Sequence, residues 1–189
     1  PETIEDSFDT AEKSENKTLL VYFSPANADT VDAISSATPR TDDVSSVEYL
    51  AQMIHERVES DIAPIVPTEA YPVEYEDTAN RARQEADDNA RPEFTLDVNP
   101  EEYDVIIVGY PIWWYQMPMV MQTFFDTYDF SEKTIIPFNP LLGSRDSGTY
   151  EDISEREPKA TVLEGLAVSR EQVQNAEEAV TDWIAELGL

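Results

Sequence analysis

The chain has 189 residues, of which 41% are hydrophobic and 10% aromatic, so it is long enough and apolar enough to bury the core of one domain. Its 40 acidic residues against 12 basic ones give a formal net charge of −28, and such a field repels nucleic acids and anionic lipid surfaces. With no cysteine and a single histidine, His55, the composition excludes disulfides, cysteine nucleophiles and His-rich zinc sites.

The first 17 residues, PETIEDSFDTAEKSENK, are polar and acidic and carry almost no large apolar groups. Such a composition buries too little surface to fold, so we predict a flexible acidic leader over residues 1–17. No second linker or internal repeat follows, and one domain is predicted over residues 18–189.

Apolar runs alternate with helical patterns from residue 18 onward. The first run, TLLVYFS, is typical of a strand, and the next helical pattern begins at Ser45 and Ser46, which are common capping residues. Further strands are predicted in IAPIVP, YDVIIVGY, KTIIPFN and TVLEGLAVS. Helices are predicted in MPMVMQTFFDTY and EQVQNAEEAVTDWIAELG, and the polar stretch EYEDTANRARQEADDNA is compatible with another. His55 is expected on the surface of its helix.

The strand runs DVIIVGY and TIIPF are apolar without alternation, as expected for strands that are buried on both faces. This pattern predicts an α/β fold in which helices cover a five-stranded parallel sheet on both sides. Right-handed crossovers leave few topologies for five such units, chiefly the strand order 2-1-3-4-5.

That strand order opens a crevice where the chain leaves the first and third predicted strands in opposite directions. The rim is predicted to consist of SPANADT after the first strand, PIWWYQMP after the third and NPLLGSRDSG after the fourth. Ligands of open α/β sheets bind at this position.

Three consecutive aromatic residues, Trp113 to Tyr115, lie in the second of these loops. Because alternate residues of a strand face opposite sides, all three cannot point into one core, and Pro111 indicates that the strand has already ended. We predict a platform for a flat ligand; the alternative is ordinary core packing under the next helix. A membrane span over residues 105–125 is disfavoured, since Gly109, Pro111 and Pro118 would break it.

The chain resembles the flavodoxin-like proteins that bind flavin mononucleotide (FMN), and among them a group often made as bacterial lipoproteins. The resemblance covers residues 18–189 and rests on VYFS, GYPIWW, FDTYDFSEKTIIPF and GSRDSGTY. It implies a flavodoxin-like three-layer α/β/α sandwich with FMN as cofactor. It also implies electron transfer or an FMN-dependent oxidoreductase activity, in which the flavin performs the chemistry and no side-chain acid or base is needed.

The resemblance assigns cofactor-binding residues to the three loops and to the start of the first helix. The candidates are Ser24, Pro25, Ala26, Asn27, Ser45, Ser46, Pro111, Ile112, Trp113, Trp114, Tyr115, Asn139, Pro140, Leu141, Gly143 and Ser144.

The phosphate-binding segment departs from the family pattern. Ser24 is followed by PANADT without a glycine, and an insertion over residues 28–44 delays the first helix. If the insertion is looped out, Ser45 and Ser46 take the place of the family's capping pair and complete the phosphate site with Ser24. Within the insertion, Arg40 is a candidate to balance the phosphate charge; the alternative is a surface arginine beside Asp42 or Asp43.

Two further positions depart from the family. PLLGSR stands where relatives commonly have Thr-His-Gly-Gly-Ser-Gly, which removes two polar side chains and leaves the backbone amides of Gly143 and Ser144. Tyr115 stands where relatives usually have glycine, so its ring either stacks on the flavin or fills the space that the flavin needs.

Other functions of similar folds do not fit. The chain lacks the strand-end acidic residues of a phosphoacceptor site and the Gly-x-Gly-x-x-Gly motif of a nicotinamide site. It also lacks the late histidine that a serine hydrolase needs. A binding module with weak or lost FMN binding is the alternative to an FMN-dependent function. The redox partner is unknown. The leader is similar to the spacer of the family's lipoproteins, so we expect an extracytoplasmic protein anchored upstream of Pro1, with the cytoplasm as the alternative.

Overall fold

The computed structural model describes residues 16–25, 44–72, 74–141, 143 and 145–189, so nearly all of the predicted leader lies outside the described residues. In this part of the chain the strands are β1 (Thr18–Phe23), β2 (Asp61–Pro67), β3 (Phe94–Thr95), β4 (Val105–Gly109), β5 (Thr134–Leu141), β6 (Thr161–Val162) and β7 (Leu166–Ser169). The α-helices are α1 (Ser46–His55), α2 (Tyr75–Asp87), α3 (Met119–Thr127), α4 (Thr149–Arg156) and α5 (Glu177–Leu187).

The strands form one sheet in the order β3-β2-β1-β4-β5-β6, in which β7 also pairs with β5. β1 lies at the centre, where Val21 pairs with Ala63 of β2 and Val108 of β4, both in parallel. The predicted order 2-1-3-4-5 is therefore confirmed. The short antiparallel strand β3 extends the edge beside β2 and was not predicted, because its two residues carry no apolar run.

The predicted fifth strand is divided into β6 and β7. The backbone N–H of Tyr110, just after β4, donates to the carbonyl of Phe138 in β5. The backbone groups of successive strand residues point to opposite sides, so those of Pro137, the residue before Phe138, face β6 and β7. Proline has no N–H to donate there, and the ladder breaks. Pairing resumes one residue out of step, since Ile135 pairs with Val162 but Phe138 pairs with Leu166. The prediction of one continuous fifth strand was wrong for this reason.

The sheet has a separate apolar core on each face. Leu20, Ile107 and Ile136 pack with residues of α1 and α5 on one face. Val21 and Val108 pack with residues of α2, α3 and α4 on the other. Alternate residues of the central strands are buried on opposite faces, which explains their uninterrupted apolar sequence.

Helices α1, α2, α3 and α5 differ from the predicted ones mainly at their ends, whereas α4 has no counterpart among the predicted helices. α1 begins where predicted, because the Ser45 side chain accepts the backbone N–H of Glu48, and His55 at its end is half-buried with Nδ1 3.1 Å from Oγ of Ser60. α5 starts later than predicted, after a short 3-10 helix over Val173–Asn175. No helix in the described segments has the length and apolar character that a membrane span requires.

Gly109 is required by the close packing of β4 against β5. A Cβ atom at this position would lie 2.1 Å from Cζ of Phe138 on the neighbouring strand, and the Phe138 side chain is fully buried. Phe138 therefore fills the space that a side chain at Gly109 would occupy.

We expect Gly109→Ala to lower the free energy of unfolding by about 2 to 3 kcal/mol, because the added methyl group would overlap the fully buried Phe138 ring. Urea denaturation of Gly109→Ala, Phe138→Leu and the double variant measures this coupling. The double variant should be more stable than the sum of the two single effects. Strict additivity would contradict the proposed clash.

Candidate functional site

The crevice lies at the edge of the sheet where β1 and β4 end. Tyr22 pairs with Gly109, so Ser24 and Tyr110 follow at neighbouring strand ends. Helix α1, which follows β1, packs on one face of the sheet, and α3, which follows β4, packs on the other. The topological switch point that we predicted is therefore present.

Ser24 and Ser45 meet at the start of α1, although 21 positions separate them in the sequence. Their hydroxyl oxygens are 2.5 Å apart, and Oγ of Ser45 also accepts the backbone N–H of Glu48 at 3.1 Å. Ser46 is buried beside them. The first turn of α1 and the end of β1 thus form one polar corner, which places Ser45 beside Ser24 as we expected from the sequence. Ala26, Asn27 and Arg40 lie outside the described residues.

The loop after β4 contains a tight two-residue turn. The N–H of Trp113 donates to the carbonyl of Gln116 at 2.9 Å, and the N–H of Gln116 donates back at 3.1 Å. Between them, Trp114 and Tyr115 have φ values of 51° and 63°. Positive φ at both central residues is the pattern of a type I′ turn, which normally uses Asn and Gly. Two aromatic residues hold this turn instead.

The three aromatic rings of this loop point to three different places. Trp113 is only 2% exposed and packs on Phe23 and Tyr71, at centroid distances of 5.4 and 5.0 Å. The indole N–H of Trp114 donates to the carbonyl of Ala79 in α2 at 3.1 Å. Tyr115 is 77% exposed. The prediction of one platform was wrong, because Trp113 belongs to the core; Pro111 and Ile112 before it are buried as well.

The indole N–H of Trp113 has an unusual environment. It is buried, and it has no hydrogen-bond partner in the part of the chain that the structure describes. A buried donor without an acceptor costs about 1 to 3 kcal/mol. The Trp113 ring packs against Phe23, the last residue of β1. Trp113 therefore lies at the edge of the sheet that carries the crevice.

The third loop is held from inside by Asn139. The Asn139 side chain is fully buried; its Nδ2 donates to the carbonyls of Pro140 and Arg145 at 3.1 and 3.3 Å, and its Oδ1 accepts the hydroxyl of Tyr150. We predicted that Asn139 contacts the ligand. For its side chain this prediction was wrong, because the side chain is buried and makes its hydrogen bonds within the protein. Pro140 is buried and Leu141 half-buried, and Ser144 lies outside the described residues.

Comparison with known proteins identifies the family. Residues 29–187 match the family model described as flavodoxin. The chain belongs to the flavodoxin family. No curated protein matches it.

Solved structures confirm the flavodoxin-like fold. A provisionally assigned flavoprotein from Bacteroides eggerthii is 24% identical with a TM-score of 0.70, over 93% of this chain and 99% of that chain. A second from Bacteroides uniformis is 27% identical with a TM-score of 0.66, over 88% of this chain and 98% of that chain. A flavoprotein from Lactobacillus acidophilus, solved in complex with FMN, is 19% identical with a TM-score of 0.62, over 85% of this chain and 98% of that chain.

Four residues that support the crevice of this flavodoxin-family member were not predicted from the sequence: Tyr71, Tyr110, Thr149 and Tyr150. Tyr71 packs under Trp113, and the Tyr110 hydroxyl lies 2.9 Å from Oγ1 of Thr149 in the interior. Tyr150 binds Asn139. The only sequence signal is their aromatic or hydroxyl character near predicted strand ends, because each partner is distant in the sequence.

We expect Tyr115→Gly to raise the free energy of unfolding by about 0.5 to 1 kcal/mol. Glycine adopts positive φ without steric penalty, and this gain exceeds the entropy that glycine adds to the unfolded chain. Urea denaturation measures the change. Tyr115→Ala is the control, since it removes the ring but keeps the left-handed penalty, and it should give no gain. Equal losses in both variants would show that contacts of the ring outweigh the strain.

The protein should lose stability between about pH 10 and 12. Burial raises the pKa of Tyr71, Tyr110 and Tyr150, and burial together with Glu48 raises the pKa of Tyr22 to about 12. Unfolded tyrosine ionises near pH 10, so the stabilisation is complete below that pH and is lost as pH rises toward the folded pKa. Urea midpoints at pH 8 and 11, followed together with tyrosinate absorbance, test this. An unchanged midpoint would contradict it.

Proposed function

We propose that this protein binds FMN without covalent attachment at the crevice between β1 and β4, and that it acts as an electron carrier or an FMN-dependent oxidoreductase. Membership of the flavodoxin family supports this proposal. A structural relative from Lactobacillus acidophilus in complex with FMN also supports it.

The observation that carries the proposal is the pairing of Ser24 with Ser45 at the first turn of α1. Hydroxyl groups and the amides of a helix N-terminus bind anionic phosphate, since both offer donors and the helix dipole is positive at this end. Glu48 is the acidic residue of this first turn, and its backbone N–H already donates to Ser45, so the two serine hydroxyl groups are the donors that this corner offers to a dianion. These residues fit the phosphate end of FMN.

Trp113 supplies a second point of fit. Its buried indole N–H lacks an acceptor among the described residues, and FMN carries acceptor oxygens on its phosphate, ribityl chain and ring. Binding of an acceptor would remove the cost of this unpaired donor. The exposed ring of Tyr115, at the same edge of the sheet, is available to contact a flat ligand.

FMN supplies the electron or hydride chemistry when it is bound. The chain's own part is to bind and orient the cofactor and to set the surrounding field. A net charge of −28 disfavours a reduced, anionic flavin, so the protein is expected to lower the reduction potential of FMN. The redox partner and an extracytoplasmic location stay predictions.

A binding module that does not use FMN is the second candidate. Tyr115 favours it, because a side chain with 77% exposure and fixed φ stands where relatives usually have glycine. Pro140 and Leu141 favour it too, since they provide no polar side chain for a flavin ring. The same experiment separates the two functions.

Titration with FMN and with riboflavin tests the proposal, since riboflavin lacks only the phosphate. We expect flavin fluorescence to be quenched and FMN to bind more tightly than riboflavin. Ser45→Ala should weaken FMN binding about tenfold and leave riboflavin binding nearly unchanged, because one phosphate donor is lost. Absence of quenching by either flavin would reject the FMN-dependent function and favour the binding module.

Asn99→Ala is the matched control for the loss of a helix cap. Asn99 accepts the N–H of Glu101 at 3.1 Å and caps the short helix before β4, at the opposite edge of the sheet. Each substitution should cost about 1 kcal/mol of stability, but only Ser45→Ala should change FMN affinity. Equal changes in FMN affinity would show that the effect of Ser45 is not local.

A further inference from the structure

We propose that Asn139 and Tyr150 are positioning residues: they hold the described part of the loop after β5, residues 140–141, 143 and 145–148, from its buried side and thereby set the affinity for the flavin ring without contacting it. This inference rests on the proposed function, because the loop is one rim of the crevice. Its basis is the geometry of the loop and of the two side chains behind it.

The loop adopts a conformation that it would not hold alone. Gly143 and Gly148 have φ values of 89° and 81°, and Arg145 and Ser147 have values of 52° and 54°. The two non-glycine residues each cost about 1 kcal/mol or more in the left-handed region. Such strain persists only where the surroundings fix the backbone.

Asn139 provides that constraint. Its two amide hydrogens are directed to carbonyls at both ends of the turn, those of Pro140 and Arg145, so the side chain ties residues that are five apart in the sequence. Its oxygen accepts the hydroxyl of Tyr150. Since the Asn139 side chain has no exposed surface, it acts on a ligand only through the loop.

Tyr150 is fixed in turn by the division between β6 and β7. A Cβ atom at Gly165 would lie 2.4 Å from the Tyr150 ring and 2.6 Å from the carbonyl oxygen of Pro137, so the ring occupies the space left by the missing side chain. The Tyr150 N–H also donates to Oδ2 of Asp146 at 3.3 Å. The interruption of the fifth strand therefore makes room for the ring whose hydroxyl binds Asn139.

The resulting chain of contacts runs from the strand break to the rim of the crevice. The Tyr150 ring fills the space beside Gly165, and its hydroxyl donates to Oδ1 of Asn139. Nδ2 of Asn139 in turn donates to the loop carbonyl of Arg145. Loss of the Tyr150 hydroxyl removes one of the three hydrogen bonds that orient the Asn139 amide, so the loop carbonyls of Pro140 and Arg145 are held less firmly. Because this rim is expected to face the ring rather than the phosphate, both flavins should be affected equally.

Tyr150→Phe tests the inference, because it removes one hydroxyl and keeps the ring that packs on Gly165. We expect FMN and riboflavin affinities to fall together by about fivefold, and amide hydrogen exchange to become faster at Gly143 and Arg145. Tyr103→Phe is the matched control: it also removes the hydroxyl of a buried tyrosine, which donates to Oδ2 of Asp61 at the opposite edge of the sheet, where β2 begins. It should lower stability without either change.

The outcomes separate this inference from the proposed function. If the wild-type protein binds neither flavin, the proposed function fails, and the exchange measurement alone decides whether Tyr150 holds the loop. Unchanged loop exchange in Tyr150→Phe would overturn the positioning role. Faster exchange with unchanged flavin affinity, or equal effects of Tyr150→Phe and Tyr103→Phe, would overturn its role in binding.

Discussion

The burial of β1 and β4 on both faces is the constraint on which the rest of the structure depends. Side chains of these strands alternate between a core under α1 and α5 and a core under α2, α3 and α4. Because α1, which follows β1, and α3, which follows β4, pack on opposite faces of the sheet, the edge between the ends of these two strands is the topological switch point at which such folds bind ligands. Packing of the sheet thus determines where a ligand binds, and the loops determine which ligand.

The loops after β4 and β5 lie at this edge, and each combines residues of positive φ with a buried side chain that fixes it, Trp113 in the first and Asn139 in the second. The turn at Trp114 and Tyr115 is held by the core packing of Trp113 and by the bond from Trp114 to Ala79. The loop after β5 is held by Asn139. Backbone strain kept in place by its surroundings is common at functional sites, and here it is found in both loops on the β4 side of the crevice. Ser24 and Ser45 complete the edge with donors for an anion.

The apolar runs predicted the central strands and their order, because burial on both faces leaves a strong local pattern. The division of the fifth strand was not predictable, since the effect of Pro137 depends on which neighbour its missing N–H faces. The position of Trp113 depends on Tyr71, which lies on a distant segment. Asn139 was recognised as part of the site, but its inward direction is determined by Tyr150 and the strand break. Local patterns therefore predicted the sheet, whereas long-range contacts determine the site.

Amide hydrogen exchange with and without FMN tests the location of the site most directly. We predict slower exchange with FMN at the first turn of α1, in the turn of Trp113 to Gln116 and in the described part of the loop after β5, which all lie at one edge of the sheet. Exchange at the opposite edge, where β4 and β5 begin, should not change. Slower exchange only at that opposite edge, or no change with FMN bound, would contradict the account.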